Sequence, residues 1–129
     1  MTGKLLASAL AFLALAATAA AGSVVGIGEQ SAGTTVRLHR GDTLAVSLGA
    51  NATTGYSWRL SSVDRTVLSP DATTYVGSKH APGIVGAGGV AVLTFKAVAQ
   101  GRTALKLAYV GPGRNPPTAK RFTVSVIVR

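Results

Sequence analysis

From residue 22 onward this chain alternates its side chains with a period of two, and no stretch sustains the 3.6-residue period of an amphipathic helix. Val36 and Leu38 alternate with Arg37 and His39. Leu44, Val46 and Leu48 alternate with Ala45, Ser47 and Gly49. Thr103, Leu105, Leu107 and Tyr109 share one face, and Phe122, Val124, Val126 and Val128 alternate with Thr123, Ser125 and Ile127. A period of two buries one face of a strand and wets the other. The pattern predicts strands over 34–40, 43–48, 55–60, 73–76, 90–100, 102–110 and 122–128, with Val24, Val25 and Ile27 as a short edge strand. Between them lie turn and loop signals. These are Arg40-Gly41-Asp42, Ser69-Pro70-Asp71, a glycine-rich loop over 77–89, Gly101, and a ten-residue connection over 111–120 with three prolines and two glycines. Seven or eight short strands punctuated in this way predict an all-β chain folded as an immunoglobulin-like β-sandwich.

The first 21 residues follow a different pattern. Lys4 precedes an apolar run from Leu5 through Ala17, and the small residues Ala19-Ala20-Ala21 follow. That order is the charged region, apolar region and cleavage site of a secretory signal peptide. The run is too short and too rich in alanine for a membrane span. The expected division is therefore a signal peptide over 1–21 and one domain over 22–129, secreted or periplasmic after cleavage and without stable insertion in a membrane.

The chain has no cysteine, so neither disulfides nor thiolate chemistry contribute, and an apolar core must supply the stability. Without Lys4, 12 basic residues face 4 acidic ones, a net charge of +8 for the expected domain. The basic residues are scattered from Arg37 to Arg129 with no run of five, and nucleic acid is not an expected partner.

Residues 51–58 read Asn-Ala-Thr-Thr-Gly-Tyr-Ser-Trp. The polar part joins two predicted strands, and the chain's single tryptophan follows directly, placed in the core beneath the loop. Short polar loops on a rigid scaffold are common contact surfaces. The glycine loop and the proline-rich connection are separated from it by even numbers of strands, so all three are expected at one end of the sandwich. The pair Gly88-Gly89 signals a backbone position that a Cβ would obstruct.

Enzyme chemistry finds little support. His39 and His80 are the only histidines and lack metal-ligand spacing with a further His, Asp or Glu. Glu29, Asp42, Asp64 and Asp71 are dispersed among turns. No serine sits on a nucleophile elbow. The sequence over 86–89 lacks the helix and the Lys-Ser or Lys-Thr pair of a phosphate loop. Arg40-Gly41-Asp42 spells an integrin-binding triplet, a match of near-chance specificity that is discounted. The chain is read as a non-enzyme without cofactor or metal, acting as a monomer through its loops.

These residues resemble the chagasin-like protein inhibitors of papain-type cysteine peptidases. That family carries Asn-Pro-Thr-Thr-Gly-Tyr-x-Trp, matched by residues 51–58 with Ala52 in place of proline. It also carries Gly-x-Gly-Gly before a strand, matched by Gly86-Ala87-Gly88-Gly89, followed by residues similar to Phe95, Ala97, Gly101, Leu105, Leu107 and Tyr109. The family's third motif, Arg-Pro-Trp, is matched only by Pro112; Gly111 and Gly113 stand at the Arg and Trp positions, with Arg114 following. The resemblance implies an eight-stranded sandwich that reversibly occludes the cleft of a papain-like cysteine peptidase with three loops. The residues implied in that contact are Asn51, Thr53, Thr54, Gly55, Gly86, Gly88, Gly89, Pro112 and Arg114. The other reading is an immunoglobulin-like binding or structural module of the cell envelope that kept the fold and lost inhibition. On the family's pattern, Gly111→Arg with Gly113→Trp should restore a missing grip, unless the backbone needs glycine there.

Overall fold

A computed structural model describes residues 22–77 and 88–129. The segment read as a signal peptide, and Gly86 with the remainder of 78–87, lie outside the described residues. Eight strands form, β1 (Val24–Ile27), β2 (Thr35–Leu38), β3 (Thr43–Ala50), β4 (Ser57–Ser62), β5 (Leu68–Gly77), β6 (Gly89–Ala97), β7 (Gly101–Val110) and β8 (Thr118–Val128). They make two four-stranded sheets, one ordered β1-β3-β6-β5 and the other β2-β8-β7-β4. The pairs β1–β3 and β2–β8 run parallel and the remaining neighbours antiparallel.

The alternation does what it predicts. Leu44, Val46 and Leu48 of β3 are buried, as are Leu105 and Leu107 of β7 and Phe122, Val124, Val126 and Val128 of β8. Phe95 and Leu93 of β6, in the same sheet as β3, belong to the same core, which β7 and β8 complete from the other sheet. Burial of this apolar surface, at about 25 cal/mol per Å², is the main stabilising term for a domain without disulfides.

Three boundaries differ from the sequence reading. Ser69-Pro70-Asp71 is not a turn but part of β5, a ten-residue strand. Strand β5 is the outer strand of its sheet, and its register against β6 shifts between Pro70 and Ala72. An edge strand with a bulge tolerates a residue that has no N–H to donate, which a central strand does not. Gly101 does not end a strand but opens β7 at φ 151°, where an added Cβ would lie 2.8 Å from Val67 Cγ2. Strand β8 starts at Thr118, four residues earlier than its apolar alternation, so the proline-rich connection is shorter than the sequence indicates.

The turn between β2 and β3 shows why the Arg40-Gly41-Asp42 triplet is not a recognition sequence here. The Asp42 side chain is turned inward. Its Oδ2 accepts the His39 backbone N–H at 2.8 Å and its Oδ1 accepts the Ser23 N–H at 3.0 Å. These bonds, His39 first and Ser23 second, hold the carboxyl below the usual aspartate range, with a smaller contribution from the His39 imidazole 3.9 Å away. A depressed folded-state pKa gives stability that is present above the unfolded value, about 3.9, and is lost as pH falls through the folded one. Asp42→Asn should therefore lower the thermal midpoint at pH 7 and flatten its decline below about pH 4. Thermal melts of both proteins between pH 2 and 7 check this; parallel curves would remove Asp42 from the acid response.

Candidate functional site

The loop over 51–56, the connection over 111–117 and the pair Gly88-Gly89 meet at one end of the sandwich. Ala50, the last residue of β3, pairs with Gly89, the first of β6. Ser57 at the start of β4 pairs with Val110 at the end of β7. The loop over 51–56 therefore lies between Gly88-Gly89 and the connection over 111–117.

The first of these loops is held by its own side chains. Ala52–Thr54 form one turn of 3₁₀ helix, and Asn51 caps it, its Oδ1 accepting the Thr53 N–H at 3.1 Å and the Thr53 hydroxyl at 2.6 Å. The Thr54 hydroxyl donates to the Asn51 carbonyl at 2.7 Å. Gly55 then reverses the chain at φ 79°, a left-handed conformation that costs other residues about 1–2 kcal/mol. Asn51 has φ −128° and ψ 102°, close to the conformation preferred before proline, so Ala52 occupies a place that a proline would also fit. Thr53, Thr54 and Gly55 are exposed at the tip.

Beneath the tip lies an aromatic layer. Tyr109 of β7 stacks obliquely on Trp58 with centroids 5.1 Å apart and on Tyr56 at 5.5 Å. Its hydroxyl accepts the Asn51 backbone N–H at 2.9 Å, and the Trp58 indole N–H donates to the Gly49 carbonyl at 2.9 Å. Trp58 is buried as expected, and each end of the loop is tied to the layer below. Lys120 of β8 sits 5.6 Å from the Tyr109 ring centroid, within cation–π range. Between the loops runs a groove of about 500 Å³, lined among the described residues by Asn51, Thr54, Tyr56, Gly88, Tyr109 and Lys120.

The sequence-predicted residues that are described gather here. A Cβ on Gly55 would lie 3.3 Å from the Pro112 ring, so the first and third loops touch. Gly88 lies beside the Ala50 carbonyl. At Gly89 a Cβ would fall 2.4 Å from the Val76 carbonyl and 2.7 Å from the Tyr75 hydroxyl. Of the glycine pair it is therefore Gly89 that shows the expected obstruction, while a Cβ at Gly88 would meet nothing nearer than 4.0 Å. Arg114 is exposed on the third loop. Sequence reasoning did not assign a place in the site to Tyr56, Tyr109 or Lys120. Alternation marks Tyr109 as inward-facing, but its bond to Asn51 spans 58 positions and depends on strand register. Among the described residues no three of His, Asp and Glu converge as metal ligands.

A sequence profile for the chagasin family peptidase inhibitors, I42, matches residues 37–126. The chain belongs to this family. Amoebiasin-1 of Entamoeba histolytica is 33% identical over 101 residues, covering 78% of this chain and 96% of its own length. The solution structure of Amebosin superposes with a TM-score of 0.63 at 32% identity, covering 83% of this chain and 98% of that one. The fold is also that of the cysteine protease inhibitor EhICP2 of Entamoeba histolytica, with a TM-score of 0.72, 24% identity, and coverage of 83% and 96%. Membership of the chagasin family agrees with the eight-stranded sandwich and with the peptidase-inhibitor resemblance read from residues 51–58 and 86–89.

The third loop is where this chagasin-family chain departs from the family's Arg-Pro-Trp. Gly111 is buried, its N–H donating to the Pro117 carbonyl at 2.9 Å, and a Cβ would lie 3.0 Å from Tyr56 Cζ. Gly113 has open space around it but φ 102°. Both glycines thus suit the backbone they occupy. Restoring Arg and Trp should cost about 1–3 kcal/mol at each position, through crowding at Gly111 and backbone strain at Gly113. The expected result for Gly111→Arg, Gly113→Trp is a lower thermal midpoint without tighter peptidase binding. An unchanged midpoint with slower dissociation would show that this loop accepts the family's residues.

Proposed function

We propose that this protein is exported, loses residues 1–21, and reversibly inhibits papain-like cysteine peptidases by seating the three-loop end in the active-site cleft. The observation that carries the reading is the closed turn of Thr53, Thr54 and Gly55, exposed at the tip and buttressed by Tyr109 and Pro112. Membership of a peptidase-inhibitor family supports it, and the description of EhICP2 as a cysteine protease inhibitor points to the same class of target.

The physical logic is one of shape. A peptidase cleaves a segment laid out in extended form, whereas the 3₁₀ turn keeps the Thr54 and Gly55 N–H groups bonded to the Asn51 and Ala52 carbonyls. Such a turn fills the cleft without presenting an extended peptide bond for attack. Its rigidity reduces the ordering cost of binding. In this reading Thr53, Thr54 and Gly55 approach the catalytic centre, Asn51 holds them, and Gly86, Gly88 and Gly89 lie along one side. Pro112 and Arg114 contact the other. The chain acts as a monomer and performs no catalysis of its own.

The glycines at 111 and 113 favour a second reading, an envelope module with the same fold and no inhibitory grip. Steady-state inhibition of papain by the purified 22–129 domain in reducing buffer decides between them. Competitive inhibition supports the proposal; none at high micromolar protein supports the module.

A further inference from the structure

The outer face of the sheet β2-β8-β7-β4 is a field of unpaired positive charge. The inward residues of β7 and β8 are buried in the core, which leaves Arg102 and Lys106 of β7 and Arg121 of β8 pointing outward and exposed. Arg37 of β2 and Arg59 of β4 are exposed on the same face. Register fixes their arrangement. Arg37 and Arg102 lie at one level on either side of Ile127. Arg59 and Arg121 lie at another on either side of Ala108. Each pair is two strand spacings apart, ~10 Å, and the two levels are six residues or ~20 Å apart along β7, with Lys106 between them.

None of the four acidic residues stands on this face. Asp42 and Asp64 are in turns and Asp71 is on the other sheet. Glu29 lies in a lateral groove beside Lys120 and Arg121, where its Oε1 accepts the Gly49 N–H at 2.9 Å. Asp64 meets the sheet through its backbone N–H, which donates to the Thr103 hydroxyl at 2.8 Å. Among the described residues the one contact within 4.0 Å between a carboxylate and a basic side chain is that of Asp42 with His39, so all five cations lack a carboxylate partner. Between them stand Thr35, Ala104, Thr123 and Ser125, with the half-buried Ile127 between Arg37 and Arg102, so the Arg and Lys side chains are the longest on the face.

We infer that this face is a docking surface for the anionic headgroups of a phospholipid bilayer. The charges spread over two dimensions, as headgroups do, and do not form the single stripe that a linear polyanion would track. The short residues between them offer no aromatic ring on which a base could stack, the usual platform for single-stranded nucleic acid. No apolar wedge projects, so the contact is electrostatic, reversible and sensitive to salt, without insertion into the hydrocarbon. The loop over 51–56 and the connection over 111–117 leave from one end of this sheet, so docking on its face leaves them open to a peptidase. The inference does not depend on the inhibitory reading.

The test is co-sedimentation of the 22–129 domain with vesicles of phosphatidylcholine alone or mixed with phosphatidylglycerol. Binding is expected only to the mixed vesicles and should be lost in high salt. Arg37→Glu, Arg102→Glu, Lys106→Glu should lower partitioning at least about tenfold, since each basic residue near an anionic surface adds to the attraction. A control, Arg40→Glu, Arg65→Glu, Lys96→Glu, carries the same net charge change at residues outside the four strands of this face and should retain most of the binding. Any papain inhibition should be the same in both variants. Equal losses in the two variants would assign the effect to overall charge and overturn the docking face. So would no binding to mixed vesicles at low salt, or tighter binding to a short DNA duplex than to the vesicles.

Discussion

Trp58→Ala should lower stability by about 3–5 kcal/mol, the usual cost of deleting a large buried aromatic side chain. For a domain of this size that is a fall in thermal midpoint of upwards of about 12 °C. The indole is 7% exposed, rests on Tyr109 with centroids 5.1 Å apart, and donates its N–H to the Gly49 carbonyl. Alanine removes all three features, and the loop over 51–56 stands on the layer that is lost. Inhibition of papain should therefore weaken as well, although Trp58 faces the core and not the proposed cleft. Trp58→Phe separates the contributions: it keeps most of the packing and forfeits the hydrogen bond, worth about 1 kcal/mol. A midpoint for Trp58→Ala within about 2 °C of the parent would show that the aromatic layer is not structural.

Thr53→Arg with Thr54→Glu should raise the inhibition constant for papain at least about a hundredfold, or ~2.7 kcal/mol, the scale of a central interface contact. Both residues are exposed, and the bonds they lose, to Asn51 Oδ1, to the Asn51 carbonyl and from the Tyr56 N–H to the Thr54 hydroxyl, are local to the loop. The cost to folding should stay below about 1 kcal/mol. Thr54→Ser keeps the hydroxyl that donates to Asn51 and should inhibit as the parent does. If the charged double variant is folded by circular dichroism and inhibits at full strength, the loop has no part in the mechanism.

Strand positions were legible because burial on one face writes itself as period two, as in Leu44, Val46 and Leu48. Strand order was not, since β8 takes as one partner β2, ninety positions away in the sequence. Pro70 read as a turn because proline is excluded from central strands, and nothing local marks β5 as an edge. The tip of the site was visible in Asn51-Ala52-Thr53-Thr54-Gly55, whose short-range bonds depend on neighbours in sequence. Its support was not: Tyr109 reaches Asn51, and Pro112 reaches Gly55, only once the sheets have formed. The glycines of the third loop looked like losses against the family's Arg and Trp. Their backbone angles and the contact with Tyr56 give each a local reason.

The position of β8 also governs when the protein can fold. Strand β8 lies inside its sheet between β2 and β7, and β2 has no other neighbour in that sheet. Until residues 118–128 arrive, β2 has nothing to pair with and the core lacks Phe122, Val124, Val126 and Val128. Closing contacts this distant in sequence is slow, in the range of milliseconds to seconds for sandwiches of this kind. Under the proposed export, a chain threaded through a translocation channel from its amino end would thus remain unfolded, and competent for transport, until residues 118–128 had crossed.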